Sequence, residues 1–390
     1  MTAHVVGVVG AGAMGTGIAQ VAATAGHRVV LGDANPSAVE RAKTVMRASL
    51  DKLVQKGKLD APASFAILER IEFAESGPSL SHYRDCGLVI EAVVEDLRVK
   101  QTLVSSLSSL VSPQALLASN TSSLSIASIA NACAHPDRVI GIHFFNPAPV
   151  LPLVEIIPWL GTSAAVTVAA RALVDSWKKV TVLAADTPGF IVNRIARPFY
   201  GESLRILDEG IADCATIDWA MRERGFRMGP FELMDFIGND VNFAVTSTMF
   251  ESTFFEPRYR PSLTQKRLVE AGRLGRKTGR GYYQYGDGAV TPEPRRDAAL
   301  GARIAERVLA MLINEAAEAV LYRVASPTDI DLAMTMGVNY PRGLLTWSDE
   351  LGPSWAFDRL AQLHADYGED RYRPSVLLRR LAADRGRFHA

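Results

Sequence analysis

The most constraining feature of this 390-residue chain is a glycine-rich turn that follows its first apolar segment. Val5–Val9 is predicted to be a buried strand, and the letters G-A-G-A-M-G continue directly from it, with glycines at Gly10, Gly12 and Gly15 and a methionine at Met14. The first glycine allows a tight turn, the second lets the backbone approach a pyrophosphate, and the third allows a helix to pack closely on the strand. The pattern predicts a cofactor-binding turn that opens a Rossmann-type domain. The alternative is that these glycines only build a turn.

An acidic residue follows the second apolar segment at the distance expected for an adenosine contact. Asp33 lies 18 residues beyond Gly15, just after the predicted strand 28–31. A carboxylate there accepts hydrogen bonds from the adenosine ribose and repels a 2′-phosphate. The predicted cofactor is therefore NAD, while Arg28 and Lys43 nearby keep NADP open as an alternative.

Short apolar runs alternate with helical patterns through the first half of the chain. The predicted buried strands are residues 5–9, 28–31, 88–93, 116–119 and 139–143, and the predicted helices include 14–25, 37–59 and 95–110. This alternation is typical of a doubly wound parallel sheet with helices on both faces. We therefore expect a Rossmann-like NAD-binding domain over residues 1–185.

The second half of the chain is predicted to be all-α and to contain an internal repeat. The pentapeptide R-Y-R-P-S at 258–262 recurs letter for letter at 371–375, and further matches share the same offset of 113 residues. Several matches at one offset indicate a duplicated unit. The predicted fold class is α/β plus all-α: a Rossmann-type doubly wound sheet followed by two related helical domains, at 186–288 and, in degenerate form, at 289–390.

Charge and composition exclude several classes of protein. Forty-two Lys and Arg balance forty-two Asp and Glu, so no net charge attracts the chain to nucleic acid or to an anionic membrane. The apolar stretch 139–154 contains prolines and is shorter than the roughly 20 residues of a spanning helix. Three widely spaced cysteines indicate neither a disulfide framework nor a metal site. We expect a cytoplasmic protein with no metal, nucleic-acid or membrane partner.

A histidine and a glutamate provide the candidate chemistry. His143 ends the fifth predicted strand, at the edge where an open α/β sheet places its active site, and Glu155 lies twelve residues further on in an apolar run. A histidine there can accept a hydroxyl proton while a nicotinamide accepts hydride, provided that a carboxylate stabilises the imidazolium. A buried glutamate without a partner is costly, which favours a pair between the two residues. The alternative is a core histidine satisfied by the backbone.

Several separated motifs resemble those of the L-3-hydroxyacyl-CoA dehydrogenases. They are S-N-T-S-S-L at 119–124, H-F-F-N-P at 143–147, L-V-E-I at 153–156, D-T-P-G-F-I-V-N-R at 186–194 and M-G-P-F-E-L at 228–233. The resemblance extends from Val5 to about Tyr285, and the remainder is similar to the second helical repeat of the family's longer members. It implies NAD-dependent oxidation of an L-3-hydroxyacyl-CoA to the 3-oxoacyl-CoA, in fatty-acid or aromatic-acid β-oxidation. The acyl group, whether 3-hydroxybutyryl or 3-hydroxyadipyl, stays open.

The resemblance also implies roles for individual residues. Four match catalytic or substrate-contacting positions: the general base His143, its partner Glu155, Ser122 at the reacting 3-oxygen and Asn193 near the substrate carbonyl. Two others, Glu95 and Lys100, match positions near the nicotinamide ribose, and a solvated helix face is their alternative interpretation.

A long basic helix provides candidate contacts for coenzyme A. Lys52 and Lys56 belong to the predicted helix 37–59, whose polar face is rich in lysine and arginine. Such a face is often merely solvated, but the phosphates of an acyl-CoA substrate need cations. These two lysines are therefore the predicted CoA contacts.

The second helical repeat departs from the first at the predicted active-site edge. Glu306 stands 113 residues beyond Asn193, and no T-P-G-F precedes it. This repeat is therefore expected to serve packing. The resemblance implies that two-domain relatives dimerise through the helical domain, so a second copy in the same chain favours a monomer, with a homodimer as the alternative.

Two rival functions remain at this point. One is a sugar-acid dehydrogenase of the lambda-crystallin or L-gulonate type, and the other is a non-catalytic NAD-binding structural protein. The aromatic pair Phe144 and Phe145 and the basic helix weigh against the first. The intact set of candidate site residues weighs against the second, since a structural protein would not need all of them.

Overall fold

The computed structural model describes residues 5–74, 80–352 and 354–389. The chain divides into two compact units, Met1–Thr187 and Pro188–Ala390. The strands of the first unit are β1 Val5–Val9, β2 Arg28–Gly32, β3 Ile71–Ala74, β4 Leu88–Glu91, β5 Leu116–Ser119, β6 Val139–Phe144, β7 Leu153–Ile157 and β8 Val180–Leu183. Its helices are α1 Ala13–Thr24, α2 Pro36–Gln55, α3 Ala61–Glu69, α4 Leu97–Leu110, α5 Ile126–Ala130 and α6 Ala164–Ser176.

The eight strands form one sheet in the order β3-β2-β1-β4-β5-β6-β7-β8. All neighbouring strands are parallel except β6 and β7, which are antiparallel. Every residue of β4, β5, β6 and β7 is buried, as expected where helices cover both faces of a sheet. Runs of valine, isoleucine and leucine suit such strands because both of their faces pack against apolar side chains.

The five predicted strands are confirmed, with two differences. The predicted strand 88–93 ends at Glu91, and β3, β7 and β8 were not predicted. The predicted doubly wound parallel sheet has one antiparallel strand pair, β6 and β7, and these two strands are joined by a short loop. Parallel neighbours need a crossover of a dozen or more residues, so a connection of this length reverses the chain.

Helix α2 ends earlier than its sequence pattern predicted. The Asn35 side chain caps its N-terminus by accepting a hydrogen bond from the Ser37 N–H, and the apolar residues at helical spacing face the core. The predicted end at residue 59 is wrong, because Gly57 has a positive φ of 65° that stops the helix. Lys52 therefore lies in the last helical turn and Lys56 is the C-cap residue.

The second unit consists of helices and connecting segments in the part of the chain that the structure describes, with isolated β-bridges that join Arg280 to Gly275 and to Gln284. Its helices are α7 Val192–Ile195, α8 Arg197–Asp208, α9 Cys214–Arg222, α10 Pro230–Ile237, α11 Asn239–Ser252, α12 Leu263–Glu270, α13 Ala298–Leu321, α14 Pro327–Val338, α15 Leu344–Leu351, α16 Trp355–Tyr367 and α17 Val376–Asp384. Among the described residues, no helix combines the length and the apolar character needed to cross a bilayer.

The 113-residue repeat of the sequence also relates the helices of this unit. Helices α9, α10, α11 and α12 correspond in order to α14, α15, α16 and α17, and the pair α7 and α8 corresponds to the last part of the continuous helix α13. The first copy is interrupted before Pro198, which has no N–H to continue a helix, whereas the second copy has Met311 at that position. Both repeats lie in one compact unit, and the predicted boundary at 288/289 stays a prediction.

Buried ion pairs join the two repeats reciprocally. Arg194 of the first repeat forms an ion pair with Glu315 of the second, with 2.7 Å between Nε and Oε1. Arg307 of the second repeat forms the equivalent pair with Glu202 of the first, with 2.6 Å between the same two atoms. Each residue of one pair lies 113 positions from its equivalent in the other pair. Both glutamates are fully buried. Such an exchange of equivalent contacts is the pattern of an isologous two-fold interface, here within a single chain.

Candidate active site

The turn after β1 has the geometry of a dinucleotide cradle. Gly10 has a φ of 105°, and a Cβ atom added there would lie 2.5 Å from the Ala92 carbonyl oxygen. A Cβ at Gly15 would lie 1.8 Å from the Gly10 oxygen, so both positions require glycine. At Gly12 a Cβ would meet nothing within 4 Å, which leaves open space beside the backbone for a pyrophosphate. Met14 packs against the hydrophobic core from the first turn of α1.

Asp33 holds this turn in place from the end of β2. Its Oδ2 accepts a hydrogen bond from the Ala11 N–H over 2.7 Å, and its Oδ1 accepts one from the Asn35 N–H over 2.8 Å. A carboxylate can accept more than one hydrogen bond at each oxygen, so capacity remains for ribose hydroxyls. Asp33 also lines a cavity of about 710 Å³ together with Gly10, Gly12, Val94, Val99 and Leu103. A polar rim beside an apolar pocket fits the adenosine half of NAD.

Lys100 is the centre of a buried ionic cluster. Its side chain is only 1% exposed, and its Nζ lies 2.9 Å from each carboxylate oxygen of Glu91 and 3.3 Å from Glu95. The alternative of a solvated helix face is therefore wrong for this lysine. The predicted helix start at residue 95 is also wrong: α4 begins at Leu97 with Asp96 as its N-cap, so Glu95 lies on the preceding turn.

Glu95 binds the loop that carries Ser122. Its Oε1 accepts hydrogen bonds from Thr121 Oγ1 (2.5 Å), Ser122 N (3.0 Å), Ser123 N (3.2 Å) and Ser123 Oγ (3.0 Å). Burial alone would raise the pKa of Glu95, but these donors and the Lys100 ammonium outweigh burial and lower the pKa below its usual value. An ionised Glu95 thus fixes the backbone on both sides of the proposed substrate-binding serine.

We expect Glu95→Gln to destabilise the first unit in a pH-dependent way. The folded-state pKa of Glu95 lies below its usual value of 4.5, so its ionised form stabilises the fold above that pH, and this contribution is lost as the pH falls through the folded-state pKa. Thermal unfolding should give a lower melting temperature for the variant than for wild type at about pH 6, and this difference should become smaller as the pH is lowered to about 3. The exposed Glu69→Gln serves as control, and a gap independent of pH would contradict the role of Glu95.

His143 and Glu155 lie directly opposite each other in the antiparallel pair of β6 and β7. The His143 Nδ1 is 2.7 Å from Glu155 Oε2, and the two residues are 5% and 0% exposed. The ring of Phe145 packs on the imidazole at a centroid distance of 4.5 Å. The structure therefore places the predicted pair together, and the reversal of β7 brings Glu155 to the imidazole.

The sequence predicted no individual role for three polar residues of this region, Glu91, Ser119 and Asn120. Glu91, at the end of β4, accepts hydrogen bonds from Lys100 and from the Ser119 hydroxyl. The Asn120 side-chain oxygen accepts a hydrogen bond from the Phe144 N–H over 2.8 Å, which holds the strand end beside His143. The position of Glu91 within the buried apolar strand predicted at 88–93 was the available signal, since a buried acid needs a partner.

The remaining predicted residues are not part of this cluster. Lys52 and Lys56 are exposed at the end of α2, and neither ammonium group makes a hydrogen bond or ion pair within the described part of the chain. Asn193 lies on α7 in the second unit, where its carbonyl oxygen accepts a hydrogen bond from Arg197 Nε. The coenzyme A contacts and the role of Asn193 stay predictions.

Family comparisons agree with this geometry. The NAD-binding domain of 3-hydroxyacyl-CoA dehydrogenase matches residues 5–187, and the C-terminal domain of the same family matches both 189–285 and 304–388. The chain belongs to the 3-hydroxyacyl-CoA dehydrogenase family. It is an NAD-dependent oxidoreductase that converts a 3-hydroxyacyl-CoA to the 3-oxoacyl-CoA. The predicted fold class, cofactor and reaction are thereby confirmed.

Individual relatives are similar over most of the chain. A 3-hydroxyadipyl-CoA dehydrogenase of Escherichia coli is 38% identical, covering 97% of both chains. A probable 3-hydroxybutyryl-CoA dehydrogenase of Deinococcus radiodurans is 41% identical, covering 72% of this chain and 99% of its own. The crystal structure of a 3-hydroxybutyryl-CoA dehydrogenase from Escherichia coli superimposes with a TM-score of 0.92 at 37% identity and covers 99% of both chains.

Proposed function

We propose that His143 is the general base that removes the proton from the substrate 3-hydroxyl. The 2.7 Å contact between His143 Nδ1 and Glu155 carries this proposal. An ionised carboxylate can only accept a hydrogen bond, so Nδ1 donates its hydrogen and Nε2 is the nitrogen that accepts the proton. The imidazolium formed in this way keeps the negative charge of Glu155 as its partner within a buried strand pair.

The other predicted residues hold the reactants in this proposal. NAD, when bound, supplies the hydride acceptor, and the glycine turn with Asp33 holds its phosphates and adenosine ribose. Ser122 donates a hydrogen bond to the reacting 3-oxygen from a loop that Glu95 fixes, and Asn193 contacts the substrate carbonyl. Lys100 keeps Glu95 ionised and in place beside the nicotinamide ribose.

Lys52 and Lys56 are the proposed cations for the phosphates of coenzyme A. Both are exposed near the end of α2, where no described acidic side chain neutralises either ammonium.

The proposed substrates carry short acyl groups, as the names of the relatives do, and the proposed pathway is β-oxidation. A survey of kcat/KM over L-3-hydroxyacyl-CoA esters with NAD tests this assignment, and absence of turnover with every ester would reject it. The cytoplasmic location stays a prediction.

Replacing Asp33 is expected to weaken the preference for NAD. In wild type, kcat/KM should be far higher with NAD than with NADP, because a carboxylate beside the 2′-position repels a phosphate. Asp33→Ser should narrow this ratio by about 10-fold or more, since juxtaposed like charges cost several kcal/mol. The exposed Asp85→Ser is the matched control and should leave the ratio unchanged. Equal use of both cofactors by wild type would contradict the role of Asp33.

We also propose that the protein is a monomer. The reciprocal pairs of Arg194 with Glu315 and of Arg307 with Glu202 support this, because the second repeat packs on the first as a partner subunit would. Light scattering should therefore give a mass near 42.2 kDa. Truncation after Gly286 removes α13 and should expose the apolar faces of α8 and α9, which leads to dimers or aggregates. A stable, active monomer after truncation would contradict this packing role.

A further inference from the structure

Asp186 binds the segment that directly follows the loop carrying Ser122. Its carboxylate accepts hydrogen bonds from Ser125 Oγ (3.0 Å), Ile126 N (2.9 Å) and Ala127 N (2.8 Å). Ser125 is the N-cap residue of α5, and the other two donors are the first residues of that helix. Asp186 lies 61 residues beyond Ser125 in the chain. A side chain distant in sequence therefore fixes the C-terminal end of this loop.

The backbone next to Asp186 is held against the strand that carries Glu155. Two residues before Asp186, the Ala184 N–H donates to the Ile156 carbonyl oxygen over 3.0 Å, which continues the parallel pairing of β7 and β8. Ile156 follows Glu155 directly on β7, and Glu155 pairs with His143. The Asp186 carboxylate thus ties the loop to the strand that positions the proposed base.

Two carboxylates therefore anchor this loop, one at each end. Glu95 bonds residues 121–123, and Asp186 bonds residues 125–127. Groups that act together on one substrate atom need a fixed separation, because a displacement of about 1 Å can lower a rate by about 100-fold. Of the two anchors, Asp186 is the one that refers the loop to β7, where the partner of the proposed base lies.

We propose that Asp186 is a positioning residue for the oxidation, which fixes the Ser122 hydroxyl relative to the His143 imidazole. This inference rests on the proposed function, in which both groups contact the 3-hydroxyl oxygen of the substrate. That oxygen gains negative charge as His143 takes its proton, so the Ser122 hydrogen bond helps only if both groups reach the oxygen together. Asp186 acts here through the loop and not through contact with the substrate.

Replacement of Asp186 by asparagine keeps the size of the side chain and removes one acceptor oxygen. The amide nitrogen cannot accept a hydrogen bond, so one backbone N–H at the start of α5 loses its acceptor. We expect kcat for L-3-hydroxybutyryl-CoA to fall by about 10- to 100-fold and the Kd of NADH to change by less than about 3-fold. Asp60→Asn is the matched control, because Asp60 caps α3 by accepting from Ala63 N, and loss of that cap should leave kcat unchanged.

A double-mutant cycle separates positioning of Ser122 from a merely structural role. Ser122→Ala should lower kcat by about 100-fold, and adding Asp186→Asn should lower it by less than about 3-fold further, because the positioned group is gone. Multiplicative losses in the double variant, or normal kcat in Asp186→Asn alone, would overturn the inference and leave the proposed function intact. Normal kcat in Ser122→Ala would reject the role of Ser122 in the proposed function as well as this inference. All rates are measured well below the lowest melting temperature of the set, so that unfolding does not contribute.

Discussion

Replacement of His143 by glutamine is expected to lower kcat for L-3-hydroxybutyryl-CoA oxidation by roughly 10²- to 10⁴-fold, the range that general acid–base catalysis contributes. Glutamine has no nitrogen that accepts a proton at neutral pH, so the hydroxyl proton loses its acceptor. The glycine turn and Asp33 belong to β1, α1 and β2 and are unchanged, so the affinity for NADH should persist. Steady-state kinetics together with a fluorescence titration of NADH measure the two quantities separately.

Substitution of Glu155, the partner of His143, tests the same mechanism, and substitution of a histidine outside the site is the control. Glu155→Gln should also lower kcat, because the imidazolium formed during the reaction would lose its negative partner in a buried strand pair. His135 is exposed, and His135→Gln should leave kcat unchanged. Near-normal turnover of His143→Gln would remove this residue from the mechanism. A loss of NADH binding would instead indicate damage to the fold.

Replacement of Glu315 by glutamine is expected to destabilise the second unit by about 3–5 kcal/mol, which is the usual effect of breaking a buried ion pair. Burial raises the pKa of Glu315, but Arg194, Arg258 and the Tyr259 hydroxyl outweigh burial and lower it, so the carboxylate is ionised at neutral pH. The variant leaves the half-buried Arg194 without its ion-pair partner, and the buried Arg258 keeps only the longer contacts to Glu256 (3.5 Å) and Glu318 (3.8 Å). Thermal unfolding should show a melting temperature lower by roughly 10 °C.

The internal symmetry supplies a matched comparison for Glu315. Glu202 is its equivalent in the first repeat and is bonded by Arg307 and Tyr372, so Glu202→Gln should have a similar effect. The exposed pair of Lys266 and Glu270 provides the control, and Glu270→Gln should change the free energy of unfolding by less than about 1 kcal/mol. Equal melting temperatures of Glu315→Gln and Glu270→Gln would show that the buried cluster does not hold the two repeats together.

Features close together in the sequence could be predicted because their chemistry is local. The glycine turn, Asp33 and the strand that ends at His143 follow from the spacing of residue types along the chain, and the repeat follows from matching letters. The strands β3 and β8 escaped prediction because a polar residue, Glu72 or Thr181, interrupts the apolar run of each, whereas the equally short β4 and β5 begin with three consecutive apolar residues. The end of α2 escaped prediction because one left-handed glycine overrides an apolar pattern that continues beyond it.

The sequence by itself determined which residues are candidates for the chemistry, since a nucleotide turn and a histidine at the end of a buried strand need those residue types. Only the tertiary structure decided how their charges are satisfied. The antiparallel register of β6 and β7 places Glu155 on the imidazole, and the end of β4 places Glu91 against Lys100. Partners of buried charges come from segments distant in sequence, and a linear pattern shows that such a partner is needed without showing which residue supplies it.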